Sequence, residues 1–501
     1  MQLYDFFIQI IDVITLSKIG VLFGTVILGI TFGALPGLTA TLGVALLTTV
    51  TYGLSTELAM VALIGIYVGA VYGGSHASIL INIPGTGAAA ATALDGYQIC
   101  LKGRGGEAIG TATLTSFLGT FAGMLAMVTA IPLLIKIALN FTSVEFFLLA
   151  LFGVLICGSL TSPDTPLKGW ISGFLGLLMA TVGIDPLQGY YRFTFGITDL
   201  FEGFEVIPVI LGGFAFPQIV RSLRNPAASS SGPSSITRVL PRGAELRKYW
   251  WVIIRSGLVG VGIGSIPGAG EDIAAWMSYD IAKKASKEPE KFGKGTMEGV
   301  ISAETANNSC IGGALIPLLT LGVPGSPPAA MLLGAIWLHG VRPGPMLSFE
   351  FPTFIPQMAA TLFWASFTML ICGFAMSKLT IRVLRIPPAI FMPIVAFFSV
   401  MGSYALGLRI FNVQMMFLFG ILAYLMEEMG YPIAPLVIGI ILGPMADANL
   451  RRALIVSQGS IIPFFTRPVA LVLLVLIFFS VVSQLEVYRK FRQSLFKGLW
   501  K

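Results

Sequence analysis

Two Pro-Gly pairs interrupt apolar stretches in the first half of this chain, and two more follow at matching distances in the second half. Pro36-Gly37 corresponds to Pro267-Gly268 at an offset of 231 residues, and Pro84-Gly85 corresponds to Pro324-Gly325 at an offset of 240. Proline removes a helix hydrogen bond and glycine permits the backbone angles that complete a break, so each pair predicts an interrupted helix. Duplicated halves with interrupted helices are typical of secondary transporters, whose sites lie where the interruptions meet.

Two further matches extend the duplication. Gly73-Gly74 lies between the interruptions of the first half and corresponds to Gly312-Gly313 at an offset of 239 residues. Phe195-Gly196, near the end of the first half, resembles Phe419-Gly420 at an offset of 224. These matches predict that the two halves are structural repeats.

Composition shows that this fold belongs in a bilayer. Of the 501 residues 55% are hydrophobic and only 11% are charged, and apolar stretches long enough to span a membrane recur from end to end. Hydropathy predicts roughly ten to fourteen spans or half-spans. The sequence therefore predicts an all-α polytopic membrane protein with broken helices and re-entrant hairpins.

A polar segment rich in serine, proline and basic residues divides the chain and contains too little apolar surface to fold alone. Basic residues crowd this linker and the C-terminal tail, which predicts that both are cytoplasmic and favours membrane topology over a nucleic-acid role. We expect an amphipathic N-terminal helix, membrane repeat 1, a cytoplasmic linker, membrane repeat 2, and a C-terminal transmembrane helix with a basic tail. Their boundaries are, in that order, residues 1–18, 19–224, 225–249, 250–452 and 453–501.

The parity of the spans bears on the orientation of the repeats. A cytoplasmic linker and a cytoplasmic tail must be separated by an even number of spans. Without the extra C-terminal helix an odd number remains in the second repeat, which predicts inverted repeats. One observation opposes this prediction, because Arg451-Arg452 would then lie outside.

The first-half interruptions are neutral and rich in hydroxyl and amide groups, which suits an anion. A break at Pro36-Gly37 exposes the positive end of the half-helix that follows. Each Pro-Gly pair could instead be a simple kink or an exposed loop, and the hydroxyl groups could serve helix packing. The residues predicted to bind substrate are Pro36, Gly37, Gly74, Ser75, Asn82, Gly85, Thr86, Gly268, Gly325 and Ser326.

The second half adds carboxylates, which suit a cation. Glu271 and Asp272 follow the third interruption, and Glu304 precedes two adjacent amides, Asn307 and Asn308. Ionisable groups inside a bilayer are candidates for a functional site, and oxygen ligands suit Na⁺, whereas a proton would satisfy a single carboxylate. These five residues form the predicted coupling-ion site. The alternative for Glu271 and Asp272 is that they only cap their helix.

The sequence does not support an enzyme or an ATPase. Gly293-Lys294 lacks the glycine that a phosphate-binding loop requires five residues earlier, where Glu288 stands. His76 and His339 have no zinc-ligand spacing, and the four cysteines form no CxxC pair. We therefore expect no cofactor and no structural metal, with transport driven by a gradient of Na⁺ or H⁺.

At these motifs the chain resembles the large permease subunit of the tripartite tricarboxylate transporters, over essentially its whole length. The resemblance implies a multi-pass protein of the bacterial inner membrane that works with a small membrane subunit and a periplasmic solute-binding protein. It also implies cation-coupled uptake, by symport, of a citrate-like di- or tricarboxylate or a related organic acid. The alternative is a passive channel or scaffold subunit. The most specific blocks are Gly33–Gly37, Tyr72–Ser75, Asn82–Thr86, Gly264–Gly268 and Val323–Ser326.

Overall fold

The computed structural model describes residues 3–35, 37–224, 239–241, 243–384, 388–405 and 407–484. Most of these residues are helical, and the described strands form one small antiparallel ribbon of Gly183–Ile184 and Tyr191–Arg192. Eight of the described helices are long and apolar enough to cross a membrane. The prediction of an all-α polytopic membrane protein is confirmed.

Helices are numbered here in chain order, and the first half contains nine of those described. They are α1 (Leu3–Asp12), α2 (Leu16–Ala34), α3 (Ala40–Thr51), α4 (Thr56–Ile81), α5 (Ala89–Ile99), α6 (Gly105–Ala138), α7 (Ser143–Thr161), α8 (Pro166–Met179) and α9 (Val206–Arg224). A π-helical turn, Cys100–Arg104, joins α5 to α6.

The second half contains the remaining described helices. They are α10 (Gly243–Lys248), α11 (Trp250–Gly264), α12 (Gly270–Ala285), α13 (Met297–Leu321), α14 (Pro327–Leu338), α15 (Leu347–Glu350), α16 (Phe354–Met376), α17 (Thr380–Val383), α18 (Pro388–Ala405), α19 (Ile410–Glu428), α20 (Ile433–Val456), α21 (Ile462–Thr466) and α22 (Pro468–Val482).

The Pro-Gly pairs fall in breaks between helices, as their chemistry predicts. The break that contains Gly37 separates α2 from α3, and the one with Pro84-Gly85 separates α4 from α5. In the second half the breaks separate α11 from α12 and α13 from α14. Gly37 and Gly268 have φ angles of 90° and 73°, in the left-handed region that favours glycine. Pro36 lies outside the described residues.

The same helix contacts occur in both halves of the chain. α2 packs against α4 as α11 packs against α13, with glycines allowing the backbones to touch. Offsets of 231 residues relate α2 to α11 and offsets of 240 relate α4 to α13. Three close approaches in the first half have an equivalent in the second. Gly29 to Ile66 is matched by Gly260 to Ala306, Gly73 to Ile30 by Gly313 to Val261, and Gly33 to Gly85 by Gly264 to Gly325.

Two of the sequence matches are wrong in detail. Gly73 is equivalent to Gly313, one residue beyond the predicted partner Gly312. Helix packing requires a glycine on the contacting face of the helix, and it does not require the Gly-Gly dipeptides to align. Phe195 is 86% exposed in the segment before α9, whereas Phe419 is 2% exposed within α19. The two aromatic-glycine pairs therefore occupy unrelated environments.

The contacts of α5 relate the directions of the two halves. α5 runs alongside α4 in the same direction, whereas it runs opposite to α13, so α4 and α13 point in opposite directions. This is the geometry that an inverted repeat requires. Along α4 the contacts with α5 advance together, from Gly74 with Ala89 to Ile79 with Gly96. Along α13 they run in opposite order, with Glu304 beside Thr92 and the earlier Thr296 beside Asp95.

One end of the bundle is rich in basic side chains, and we call it the linker side. Val239, the first described residue of the predicted linker after Arg224, lies against Gly110 near the start of α6, and α11 and α13 also begin at this end. Lysine and arginine side chains surround a surface pocket there: Lys102, Arg104, Lys248, Lys291 and Lys294. The predicted basic tail at residues 485–501 lies outside the described residues.

Candidate functional site

A cavity of about 400 Å³ lies where the four interruptions meet. Its wall includes the beginnings of four helices, α3, α5, α12 and α14. The first amide groups of a helix have no partner within it and carry partial positive charge, so each of the four ends contributes positive potential beside the carboxyl groups of Glu271 and Asp272. The residues they contribute are Thr39, Ala40, Thr41, Thr86, Gly87, Ala88, Gly268, Ala269, Gly270, Glu271, Asp272, Pro327 and Pro328.

Side-chain caps define where three of these helices begin. The hydroxyls of Thr39, Thr86 and Ser326 each accept a hydrogen bond of 3.3 Å from a backbone amide three residues further on. Such caps stabilise a helix start by about 1 kcal/mol. On α3 and α5 each cap uses only one amide of the first turn. α14 begins with Pro327 and Pro328, which have no N–H, so it contributes the positive end of its dipole and no free amide.

The two interruptions within each half touch through glycine. A Cβ added to Gly85 would lie 1.9 Å from the carbonyl oxygen of Gly33, and one on Gly325 would lie 2.0 Å from that of Gly264. No side chain fits at either contact. Backbone bonds strengthen the second pair, because the Gly268 amide donates to the Pro324 carbonyl at 3.2 Å. The glycines therefore set how closely the four helix starts can converge.

Glu271 connects the two halves at the edge of the cavity. Its side chain is 6% exposed, and Oε1 accepts a short hydrogen bond from the hydroxyl of Tyr67 on α4. The Tyr67 hydroxyl also lies 2.8 Å from Ser326 Oγ. This carboxyl group is thus held by residues from α4 and α14 as well as by its own helix.

Asp272 and Asn307 present polar atoms to the same cavity. Asp272 is exposed there and accepts a hydrogen bond from the Ala88 amide. Asn307 is 1% exposed, and neither its Oδ1 nor its Nδ2 has a hydrogen-bond partner among the described residues. A buried amide without partners is costly, so a ligand or water in the cavity would complete its bonds.

Glu304 and Asn308 belong to a separate buried cluster. Thr92 donates to one Glu304 oxygen at 2.5 Å and Ser116 donates to the other at 2.9 Å. Thr120 donates to the Asn308 side chain at 3.3 Å. Neither residue contributes to the cavity wall. The structure therefore divides the predicted coupling residues between a cavity group and a group at the contact of α13 with α5 and α6.

The predicted substrate residues are divided in a similar way. Thr86 and Gly268 line the cavity. Gly74, Gly85 and Gly325 lie behind its wall, where they permit close packing. Ser326 caps α14 and contacts Tyr67, so it supports the wall from behind.

Three other predicted residues lie away from the cavity wall. The Ser75 hydroxyl donates to the Tyr72 carbonyl of its own helix at 2.8 Å, which leaves it no free donor. Asn82 ends α4 in the left-handed conformation with a φ of 58°, and Gly37 faces the side chain of Gln218. Their proximity to a Pro-Gly pair in sequence does not direct them to the same point in space.

Sequence reasoning missed several residues of the wall. Leu160, Thr161 and Ala434 line it and come from helix ends on the linker side. Tyr67, which holds Glu271, lies in an apolar run without any motif. The second threonine of the short segment Thr39-Ala40-Thr41 is another wall residue, and its place at a helix start was the signal available in sequence.

Converging broken helices around a cavity inside an apolar helical bundle define a membrane protein of the transporter class. The family model for the tripartite tricarboxylate transporter TctA family matches residues 19–438. This chain belongs to that family, which confirms the resemblance recognised from the sequence blocks.

Two similar proteins come from Agrobacterium vitis. An uncharacterised 52.8 kDa protein in the TAR-I ttuC′ 3′ region is 37% identical over 456 residues, which cover 91% of this chain and 90% of that protein. An uncharacterised protein in the TAR-II ttuC′ 3′ region is 36% identical over 212 residues, covering 42% of this chain and 88% of the relative. No solved structure matches this chain significantly.

Proposed function

We propose that this chain is the membrane permease subunit of a binding-protein-dependent, cation-coupled secondary transporter that imports a citrate-like di- or tricarboxylate or a related organic acid. The observation that carries the proposal is the convergence of four helix starts on one cavity that also exposes Asp272. A site with both positive backbone potential and a carboxylate suits an anion and a cation bound together.

The anion binds to backbone amides in this proposal. The first turns of α3, α5 and α12 supply amides, α14 adds the positive end of its dipole, and Thr39, Thr41 and Thr86 supply hydroxyl groups nearby. Among the described residues, no lysine or arginine lines the cavity. A carboxylate held by amides and hydroxyls can be released more readily than one paired with a buried cation, which suits transport.

The coupling cation binds beside Asp272 and Asn307, with Glu271 adjacent. Carboxylate and amide oxygens are ligands that Na⁺ accepts, and the free Asn307 Oδ1 supports this placement. A proton on Glu271 or Asp272 would serve the same purpose. In either case the cation would offset the negative charge of the wall and so favour entry of the anion.

Alternating access follows from the repeats, which we propose to be inverted and to extend over residues 19–224 and 250–452. Leu160, Thr161 and Ala434 lead from the cavity towards the linker side, which we place in the cytoplasm because of its basic residues. The structure would then represent a form open towards the cytoplasm of a bacterial inner-membrane protein. The family's tripartite organisation supports a small membrane subunit and a periplasmic solute-binding protein as partners.

Reconstitution tests the proposal. Proteoliposomes containing the chain and its small membrane subunit receive loaded binding protein on one side and an imposed Na⁺ or H⁺ gradient. We expect concentrative uptake of the acid that stops when the gradient is collapsed, and no uptake driven by ATP. Flux that follows only the gradient of the acid itself would identify a passive channel and refute the proposal.

A matched pair of variants places the coupling site. Asp272→Asn should abolish the dependence of uptake on the cation gradient, because it removes the exposed charge of the cavity. Asp280→Asn changes an exposed aspartate of the same helix that pairs with Lys284, and it should transport normally. Equal gradient dependence in both variants would contradict the assignment of Asp272.

A further inference from the structure

A cationic side chain on the outer face of α11 has no partner within the described protein. Arg255 lies five residues after the start of α11, and its Nη2 is buried without a hydrogen-bond partner. No described carboxylate forms an ion pair with it. An uncompensated guanidinium in a membrane segment is costly and is expected to pair with a counter-charge.

The open side of Arg255 is an apolar groove, which we call the outer groove. It has a volume of about 400 Å³ and is formed by Trp251, Ile254, Arg255, Leu258 and Val259. Trp251 and Leu258 are 62% and 71% exposed, so this face of α11 is not covered by the rest of the described chain.

The depth of Arg255 suits a lipid headgroup. At a rise of about 1.5 Å per residue, it lies about 7 Å below the start of α11, where Trp250 and Trp251 suit the membrane interface. α11 begins on the linker side, next to the pocket that contains Lys102, Lys248 and Lys294. The Arg255 side chain can extend back towards the start of α11, which would bring its guanidinium to the phosphate groups of the adjacent leaflet. The acyl chains would follow the apolar part of the groove.

A protein helix fits this groove less well than a lipid does. Helices in membranes associate through small residues. Gly257 and Gly260 of α11 already face α6 and α13, and the open Gly262 is not among the residues that form the outer groove. The outer groove instead presents large side chains around one charge. Its charge and shape complement a single anionic amphiphile.

Comparison of the two halves shows that Arg255 is not part of the shared architecture. The offset that relates α2 to α11 places Gly24 at the equivalent position, and nothing lies within 4 Å of a Cβ built there. The packing glycines Gly29 and Gly33 are matched by Gly260 and Gly264, so the inner face is duplicated while the outer face has diverged. Packing of the repeats therefore does not account for the cation.

We propose that the outer groove binds an anionic phospholipid of the leaflet on the linker side, with its phosphate paired to Arg255. The bound lipid would fill the groove and neutralise the guanidinium. This assignment is independent of the transported substrate and of the coupling ion.

Native mass spectrometry of the delipidated full-length chain tests this site. The probes are phosphatidylglycerol and phosphatidylethanolamine with the same acyl chains, and inorganic phosphate. We expect tighter binding of phosphatidylglycerol than of phosphatidylethanolamine, with no comparable thermal stabilisation by inorganic phosphate. Stabilisation by inorganic phosphate alone would indicate a free-anion site and overturn the lipid assignment.

Variants separate charge from fold. Arg255→Gln should weaken phosphatidylglycerol binding about tenfold or more, since a charge-assisted contact is lost. Arg255→Lys should retain part of the affinity, and Lys284→Gln, which removes an exposed charge from α12, should retain all of it. Thermal unfolding in lipid-free detergent reports whether each variant is folded. If Arg255→Gln is not folded, the phosphatidylglycerol affinity of Arg255→Lys is compared with that of the wild type instead.

Two results would overturn the proposal. One is wild-type affinity for phosphatidylglycerol in folded Arg255→Gln or, where that variant does not fold, in Arg255→Lys. The other is release of the small membrane subunit by Arg255→Gln with lipid binding unchanged, which would make the outer groove a protein contact.

Discussion

Tyr67 of the first half donates its hydroxyl hydrogen to Glu271 of the second half, at the edge of the cavity. The two residues are 204 positions apart in sequence. Tyr67 is fully buried, so its hydroxyl has no water to bond if the carboxyl group moves. This contact couples a continuous helix of one half to an interrupted helix of the other.

Loss of that hydroxyl should impair transport without unfolding the protein. Tyr67→Phe leaves Glu271 without one of its donors, and a buried polar group that loses its partner costs about 1–3 kcal/mol. We therefore expect uptake in proteoliposomes to fall roughly 10- to 100-fold. Tyr52→Phe, which alters an exposed tyrosine beyond the end of α3, should be unaffected. Equal activity of the two variants would show that the contact is not needed.

The free amide of Asn307 should determine cation affinity. Asn307→Ala removes an oxygen that has no hydrogen-bond partner in the described part of the chain, and the half-saturating cation concentration should rise about tenfold. The measurement is initial uptake as a function of cation concentration at saturating substrate. Asn449→Ala is the control, because that amide is satisfied by the Met445 carbonyl of its own helix. An unchanged cation dependence in Asn307→Ala would remove this residue from the coupling site.

A methyl group between the interruptions of one half should be more harmful than one on the lipid-facing surface. In Gly325→Ala the new Cβ meets the Gly264 carbonyl at 2.0 Å, so the converging helix starts must separate. A displacement of about 1 Å at a site can reduce function about 100-fold. Gly24→Ala places its methyl group in open space and should transport normally. Normal uptake by Gly325→Ala would contradict the role given to this contact.

An ion pair at the end of the bundle opposite the linker side should make stability depend on pH. The Arg451 guanidinium binds both oxygens of Asp185, with Nη2 at 2.6 Å from Oδ1, and the Leu187 amide donates to the same carboxylate at 2.8 Å. The guanidinium, and then this amide, hold the pKa of Asp185 well below its usual range. A depressed folded-state pKa stabilises the fold above the unfolded pKa of about 3.9, and this stabilisation is lost as the pH falls towards the folded value.

Thermal unfolding in detergent at two pH values checks this assignment. Asp185→Asn should unfold at a lower temperature than the wild type at pH 7, and the difference should shrink below about pH 4. Asp199→Asn, which alters an exposed aspartate of the neighbouring segment, should match the wild type at both values. A difference for Asp185→Asn that does not change with pH would point to a steric effect of the substitution.

Much of the fold could be predicted from local chemistry. Apolar stretches of spanning length indicated the membrane, and the Pro-Gly pairs indicated the breaks, since a helix cannot continue regularly through such a pair. The duplication was legible because equivalent glycines must remain where two backbones touch, as Gly260 and Gly29 show. The exact equivalent of Gly73 could not be predicted from the sequence, because a match between two dipeptides does not show which helix face is packed.

The site was predicted less completely because it depends on side-chain direction. Asn307 and Asn308 are adjacent, yet a helix turns about 100° per residue, so one faces the cavity and the other faces Thr120. Ser75 has the right chemistry but is bonded to its own helix. Thr161 and Ala434 carry no local signal, since nothing near them in sequence marks the cavity.

The sequence by itself determined that the protein lies in a membrane, where its helices are interrupted and which family it belongs to, because all three depend on residue type and spacing along the chain. Only the tertiary structure decided that four helix starts share one cavity, that Glu271 meets Tyr67, and that Glu304 lies in a different cluster. The physical reason is that these relationships arise from packing between helices far apart in sequence. Packing of that kind depends on shape and direction, which residue order does not display.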